Sequence, residues 1–468
     1  MVEQRLGSKT KVLYGLGAFG YGSIGQTMGS FLMFFGTGIL GIPGVLMGLA
    51  VAISTVWDAT TDPFVGHFSD NTKSRVFGKR HGWILCGCIA VAVINLLIWS
   101  ISPAWPLWWK FSVLLGLLLL METFCTVFST PYGALGLDLS QNYNDRTAVQ
   151  NYKTAFSFLS LLVPSVLMTI FLSPTRYLTM SMSNRGYQEI AIFTSVLCVV
   201  CGLICFFGTY RYRNAECRML NAEQRKNISS NNSAFRPQHS GLWSDFFGII
   251  KQKNVGRLIA GYAVSLSAGA FITTLGMHVF TYTFLFSTFE IPIIMVCLIG
   301  GIVAGQPIWF FVSKRRDKIT ALLSALATII VGIIIFSAIL VFRSTLPQTA
   351  LLVLVAMTIF VCGVGTGCLY SLPISMFADC IFLSQQQTGI DKTAKSAGFL
   401  TFCTKISNAF IMFLIGLSLD LIGFSGSSTV QTTATQNWLG WLLIVGVLCA
   451  SVGAMFIYSK YSYSKKDF

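Results

Sequence analysis

Twelve apolar runs, most of them about 20 to 30 residues long, set the terms on which this chain can fold, because about 20 apolar residues in a helix span a bilayer's hydrocarbon core. Their sequence lacks the strand-like alternation of a membrane barrel. Backbone amides in lipid must find partners inside their own segment. Helices are therefore expected over approximately 11–40, 44–69, 82–102, 107–137, 147–173, 189–210, 257–286, 290–313, 318–342, 347–377, 395–423 and 437–459. Composition agrees: 54% of residues are hydrophobic and only 10% charged, against roughly 25% charged in soluble domains.

The basic residues orient the bundle. Of 32 lysines and arginines, 26 fall in loops on the side of both termini, four (Lys110, Arg176, Arg185, Arg343) on the other, and two inside spans. The positive-inside tendency then makes both termini cytoplasmic, in a plasma or inner membrane. The net charge of +15 reflects topology rather than an affinity for nucleic acid. The first apolar run is too long for the core of a cleavable signal peptide.

Residues 211–256 form a basic, Asn- and Ser-rich stretch that divides the spans six and six. It is expected to link two pseudo-equivalent helical bundles, 1–210 and 257–468, as in many transporters. Its sequons at Asn227 and Asn231 lie on the cytoplasmic side and read as chance matches. "SGLWSDFFGIIKQ" (240–252) has the pattern of a short amphipathic surface helix.

Three motifs invite other readings. "GLGAFG" (Gly15 to Gly20) satisfies the dinucleotide fingerprint, but lies within an expected membrane helix instead of following a strand. Its glycines are better suited to close helix contact. Cys198, Cys201 and Cys205 have helical spacing and read as small packing residues. His278 is expected inside the seventh span, as a packing histidine or as a group facing a cavity.

Five ionisable residues stand well inside spans: Asp58, Asp62, Glu122, Lys153 and Lys405. Such groups are costly in a membrane and mark pathways or coupling sites. Asp58 and Asp62 are four residues apart, so both carboxylates leave one face of a helix. A bound cation would relieve their repulsion, and hard cations prefer oxygen ligands. Thr61, Thr126 and Ser129 offer hydroxyls nearby. The competing readings are a shared proton and an Asp–Lys pair with a purely structural role. Asp70, Arg75, Asp138, Arg146 and Asp379 sit at expected cytoplasmic helix ends, placed to pair and separate as a gate, or simply to cap and anchor helices. No nucleophile with a paired His and acid is evident, so the chain does not read as an enzyme.

These residues resemble the glycoside–pentoside–hexuronide:cation symporters, the melibiose permease-like branch of the major facilitator superfamily. The likeness rests on "WDATTDPFVGHFSDNTKSRVFGKRHGW", on "PYGALGLDLSQNYNDRTAVQNYKTAF" and, in part, on "SMFADCIFLSQQQTG" with "GFLTFCTKISNAF". It implies an all-α major facilitator fold of twelve transmembrane helices in two six-helix bundles. It also implies alternating access, with a cation and a small organic solute moving together. The family's cation site maps onto Asp58, Asp62, Thr61, Thr126 and Thr401, with Lys405 close by. Its sugar-binding acids map onto Gly22 and Ser129, and its stacking tryptophan onto Gly133. Its helix-5 arginine falls near Lys153 or Thr154. Those losses argue against a galactoside and leave other sugars, sugar acids or amphiphiles.

Lys153 offers a receptor for an anionic solute, or a partner for Glu122; Tyr21, Gln26, Tyr152, Gln150 and Tyr370 are candidate polar cavity groups. The expected function is Na⁺- or H⁺-coupled symport by a monomer in membrane lipid, with no cofactor besides the coupling ion. A sodium-coupled lysolipid symporter and a proton-coupled drug antiporter are the alternatives.

Overall fold

The computed structural model describes residues 6–72, 74, 76–139, 143–172, 184–212, 253–388, 393–426 and 431–461. The expected surface helix over 240–252 and both sequons lie outside them. The helices are α1 (Ser8–Phe34), α2 (Gly44–Asn71), α3 (His81–Trp99), α4 (Leu107–Asp138), α5 (Tyr143–Ser160), α6 (Val163–Phe171) and α7 (Asn184–Thr209). After the linker come α8 (Lys253–His278), α9 (Glu290–Arg315), α10 (Lys318–Phe342), α11 (Gln348–Leu369), α12 (Leu372–Thr388), α13 (Thr393–Leu421) and α14 (Thr433–Ser459). Among the described residues, eleven helical segments are long and apolar enough to cross a membrane, two of them formed by the successive pairs α5–α6 and α11–α12. The glycine-rich α1, 27 residues long, is the twelfth long segment.

The chain divides into two compact units: residues 1–28, 56–167 and 184–239 in the first, and 29–55, 168–183 and 240–468 in the second. The division passes through α1, α2 and α6, so each of these helices belongs to both.

In the first unit, α1 packs through its glycines. A methyl on Gly15 would meet the Phe156 ring at 2.5 Å, one on Gly17 the Tyr132 ring at 2.9 Å, and one on Gly20 the Cys201 side chain at 2.6 Å. "GLGAFG" is thus the surface that admits α4, α5 and α7 at close range. Cys198, Cys201 and Cys205 are buried on α7. Above this contact, Tyr14 donates to the Tyr132 carbonyl (3.0 Å) and Tyr132 donates to the Tyr14 carbonyl (2.7 Å). Their rings stack at 4.5 Å, and the stack continues through Phe128 to Tyr21. Two buried hydroxyls that each satisfy the other helix's backbone fix the axial register of α1 on α4.

A polar knot joins α3 to α7. The fully buried Asn95 amide donates to Ser195 Oγ (2.9 Å), Thr194 Oγ1 (3.1 Å) and the Ala191 carbonyl (3.2 Å), while its oxygen accepts from Trp99 Nε1 (3.0 Å). With no water in the hydrocarbon region, each of these groups needs a protein partner.

The second half of the chain repeats devices of the first. α1 runs into a π turn over Phe35–Ile39, and α8 into one over Val279–Thr283. The amides of Leu40 and Ile42 return to the carbonyls of Phe35 and Gly36; those of Phe284 and Phe286 return to Val279 and Phe280. Between each pair of bonds sits a residue with left-handed backbone, Gly41 (φ 65°) or Leu285 (φ 57°). At the other membrane face, Arg80 at the start of α3 pairs with Asp138 at the end of α4 (2.7 Å). Lys318 at the start of α10 pairs with Asp379 on α12 (2.5 Å). Equivalent positions are about 240 residues apart, the signature of an internal duplication.

Two predictions follow from the turns and the clasp. Gly41 has open space where a side chain would go, so Gly41→Ala tests backbone strain alone and should cost about 1 kcal/mol. Its melting temperature in detergent should fall, whereas Leu285→Gly, at the equivalent site, should not lower it. Tyr132→Phe, which strips one buried donor from the clasp, should cost about 1 to 2 kcal/mol and lower the same melting temperature.

Candidate functional site

The two membrane-embedded aspartates meet at one hydroxyl. α2 presents Asp58 and Asp62 one turn apart, both half-buried, while α4 presents Thr126, which is only 2% exposed. Thr126 Oγ1 lies 2.8 Å from Asp58 Oδ1 and 2.9 Å from Asp62 Oδ1. The two carboxylate oxygens are therefore within about 6 Å of each other. At an effective dielectric of about 20, two full negative charges there would repel by at least about 3 kcal/mol. A threonine hydroxyl carries a single proton, so it cannot donate fully to both carboxylates at once.

The surroundings hold this geometry. Thr123, three residues before Thr126 on α4, accepts from Trp57 Nε1 at 2.9 Å, which ties α2 to α4 beside Asp58. Thr61 turns away: its hydroxyl bonds back to the Asp58 backbone carbonyl at 3.2 Å. Glu122 and Ser129 lie half-buried on α4, about one turn to either side of Thr126. On the α1–α4 stack, Lys153 Nζ of α5 lies 5.5 Å from the centre of the Tyr132 ring, within cation–π reach. Tyr21 stacks on Phe128, and Gln26 and Tyr152 are half-buried on α1 and α5. All of these residues belong to the first unit. Thr401, exposed, and Lys405, half-buried, lie four residues apart on α13 in the second.

The positions where the sugar-binding residues of melibiose permease-like symporters would fall have a different character here. A methyl on Gly22 would come within 2.6 Å of Ser160 Oγ, so α1 packs on α5 at that point. A methyl on Gly133 would stand 3.9 Å from Lys153 Nζ. The space next to an aromatic platform's position is shared with an ammonium.

The charges at helix ends form pairs inside one unit each. Asp138 accepts from Arg80, and Asp379 accepts from Lys318, which also donates to Ser375 Oγ at 2.8 Å. Asp145 accepts from both Lys11 Nζ (2.7 Å) and the Leu6 amide (2.9 Å). Arg75 and the side chains of Asp70 and Arg146 lie outside the described residues. The sequence does not single out Arg80. Only the packing of α3 on α4 brings it to Asp138. His278 proves to be a packing residue, fully buried, bonded to Thr37 Oγ1 (3.0 Å) and flanked by the rings of Phe34 and Phe424.

Known proteins share both the sequence and the fold. The Bacillus subtilis uncharacterized symporter YjmB is 25% identical over 464 residues, 97% of this chain and 92% of that protein. The Xenopus tropicalis sodium-dependent lysophosphatidylcholine symporter 1 is 21% identical over 476 residues, 95% of this chain and 85% of that one. Among solved structures, that of a D-xylose-proton symporter superposes with a TM-score of 0.66 at 11% identity, covering 98% of this chain and 99% of its own; at that identity the likeness speaks for the fold alone. The family model described as MFS/sugar transport protein matches residues 13–465, and this integral membrane protein belongs to that family of transporters.

Proposed function

We propose that the protein is a cation-coupled symporter of the melibiose permease-like branch, with Asp58, Asp62 and Thr126 forming the coupling-ion site. One observation carries the reading: a single buried hydroxyl lies within hydrogen-bond distance of two carboxylates whose mutual repulsion a bound cation would relieve. Na⁺ suits this all-oxygen donor set, and H⁺ is the alternative coupling ion. When the cation binds, it removes the repulsion between the aspartates and lets α2 and α4 settle around it. Any solute that binds this settled arrangement more tightly binds more tightly in the presence of the cation, and the converse holds by linkage. Thr401 and Lys405 are proposed to complete the coupling apparatus, and Asp70, Arg75, Asp138, Arg146 and Asp379 to work at the cytoplasmic face, where both termini are proposed to lie.

For the solute, the crowding at Gly22 and the ammonium beside Gly133 argue against a galactoside. They support a small organic molecule with an anionic group that Lys153 receives as a point charge. The likeness to a sodium-dependent lysophosphatidylcholine symporter keeps an anionic amphiphile as the second reading of the same site.

Purified protein in detergent should melt at a higher temperature in Na⁺ or Li⁺ than in K⁺, because a ligand that binds only the folded state stabilises it by mass action. Asp58→Asn and Asp62→Asn should abolish that difference. Thr126→Val should raise the Na⁺ midpoint roughly five-fold or more, as expected for one lost hydrogen bond to a charged group. A stabilisation indifferent to the cation in all four proteins would refute the site. An acid-dependent shift lost in the aspartate variants, without any metal effect, would assign proton coupling instead.

A further inference from the structure

The second unit contains an element drawn from far away in sequence. Residues 29–55, the end of α1, its π turn and the first half of α2, cluster with the helices after residue 240. What holds them is concentrated at the face opposite the chain's first residues, since α1 at 27 residues is about 40 Å long.

Asp420, at the end of α13, caps the start of α2. Its Oδ1 accepts from the Gly44 amide (2.6 Å) and its Oδ2 from the Val45 amide (2.8 Å). These amides have no partner within their own helix, and the carboxylate also meets the positive end of the α2 dipole. Just below, α2 crosses α13 with backbones in contact. A methyl on Gly48 would meet the Met412 carbonyl at 2.7 Å, and one on Gly416 would strike the Gly44 carbonyl.

The neighbouring joint is sealed by side chains. Thr37 Oγ1 bonds His278 Nε2, and Tyr282 stacks near Phe34 and edge-on to Phe424. Ile39, in the π turn, is 9% exposed. The dispersion contacts are short-ranged and the glycine crossing tolerates no added atom. Only the carboxylate supplies two charge-assisted bonds, and both go to the backbone of one helix end.

We propose that Asp420 is the latch that seats residues 29–55 on α8 and α13, and that its release from the α2 N-terminus opens this face of the transporter. The inference uses the alternating-access character of the family but not the cation site. Separation costs two hydrogen bonds and a charge–dipole contact, all of which water can replace once the face is open. A device of this kind switches between two satisfied states: capped while closed, hydrated while open. An apolar side chain would hold the closed state more weakly, and a salt bridge to a mobile side chain would fix the helix less firmly.

The test uses full-length protein in nanodiscs, with neither solute nor Na⁺ needed. Ile39→Cys places a reporter thiol inside the joint, and its reaction with a hydrophilic maleimide is followed against the parent chain. With Asp420 intact the thiol should react slowly. Asp420→Ala should speed the reaction at least five-fold, and Asp420→Asn, which keeps an acceptor but not the charge, should fall between. Gly416→Ala, which wedges the crossing apart, should also speed it. Ser195→Cys, buried on α7 in the first unit, monitors global unfolding and should be unaffected by all three changes. The proposal is overturned if the Ile39→Cys rate is the same with and without Asp420, or if Ser195→Cys accelerates in parallel. Loss of the Na⁺ effect at Asp58 would leave these rates unchanged, so the two readings fail separately.

Discussion

Everything in this structure answers to the lack of hydrogen-bonding solvent in the hydrocarbon layer. Each polar group there needs a partner from the protein, and leaving one unmatched costs on the order of 1 to 3 kcal/mol. The consequences differ by group. Hydroxyls of Ser23, Thr27 and Thr194 return to carbonyls of their own helices. Tyr14 and Tyr132 reach across to each other's backbone, and Asn95 gathers three acceptors from α7. Such pairings fix helix register, because no other axial offset would satisfy them.

Against this background the Asp58–Thr126–Asp62 group stands out. Here two carboxylates lie within hydrogen-bond distance of the same hydroxyl. Under the proposed function the repulsion between them is the source of coupling, since a mobile positive charge relieves it only while it is bound. The same logic separates this group from the pairs Arg80–Asp138 and Lys318–Asp379. Those bring opposite charges together within the protein and suit anchoring of the helices that carry them.

The duplicated π turns show how a physical solution is reused with different residues. Both follow the first helix of a sequence half, and both require a left-handed residue at one position. The first copy has glycine there, which adopts that conformation freely; the second has leucine, which carries a backbone cost. The repeat is therefore visible in backbone geometry where the side chains no longer match. Only the first copy is followed by the glycines of α2 that let Asp420 and the α13 backbone approach.

The sequence alone determined the helical membrane architecture, because runs of apolar residues leave the backbone no other way to satisfy itself. It also identified Asp58 and Asp62 as a pair, since a four-residue spacing puts two side chains on one face, and it read "GLGAFG" as a packing surface. Tertiary structure decided which partners lie across helices. Nothing local says that Thr126 rather than Ser129 meets both aspartates, that Thr61 bonds its own backbone, or that Arg80 finds Asp138. Those contacts depend on the rotation and axial offset of whole helices, which a single strand of sequence does not encode. Asp420 is the clearest case: nothing in the sequence around it singles it out. Its role arises only where α2, some 375 residues earlier, begins beside it with two free amides.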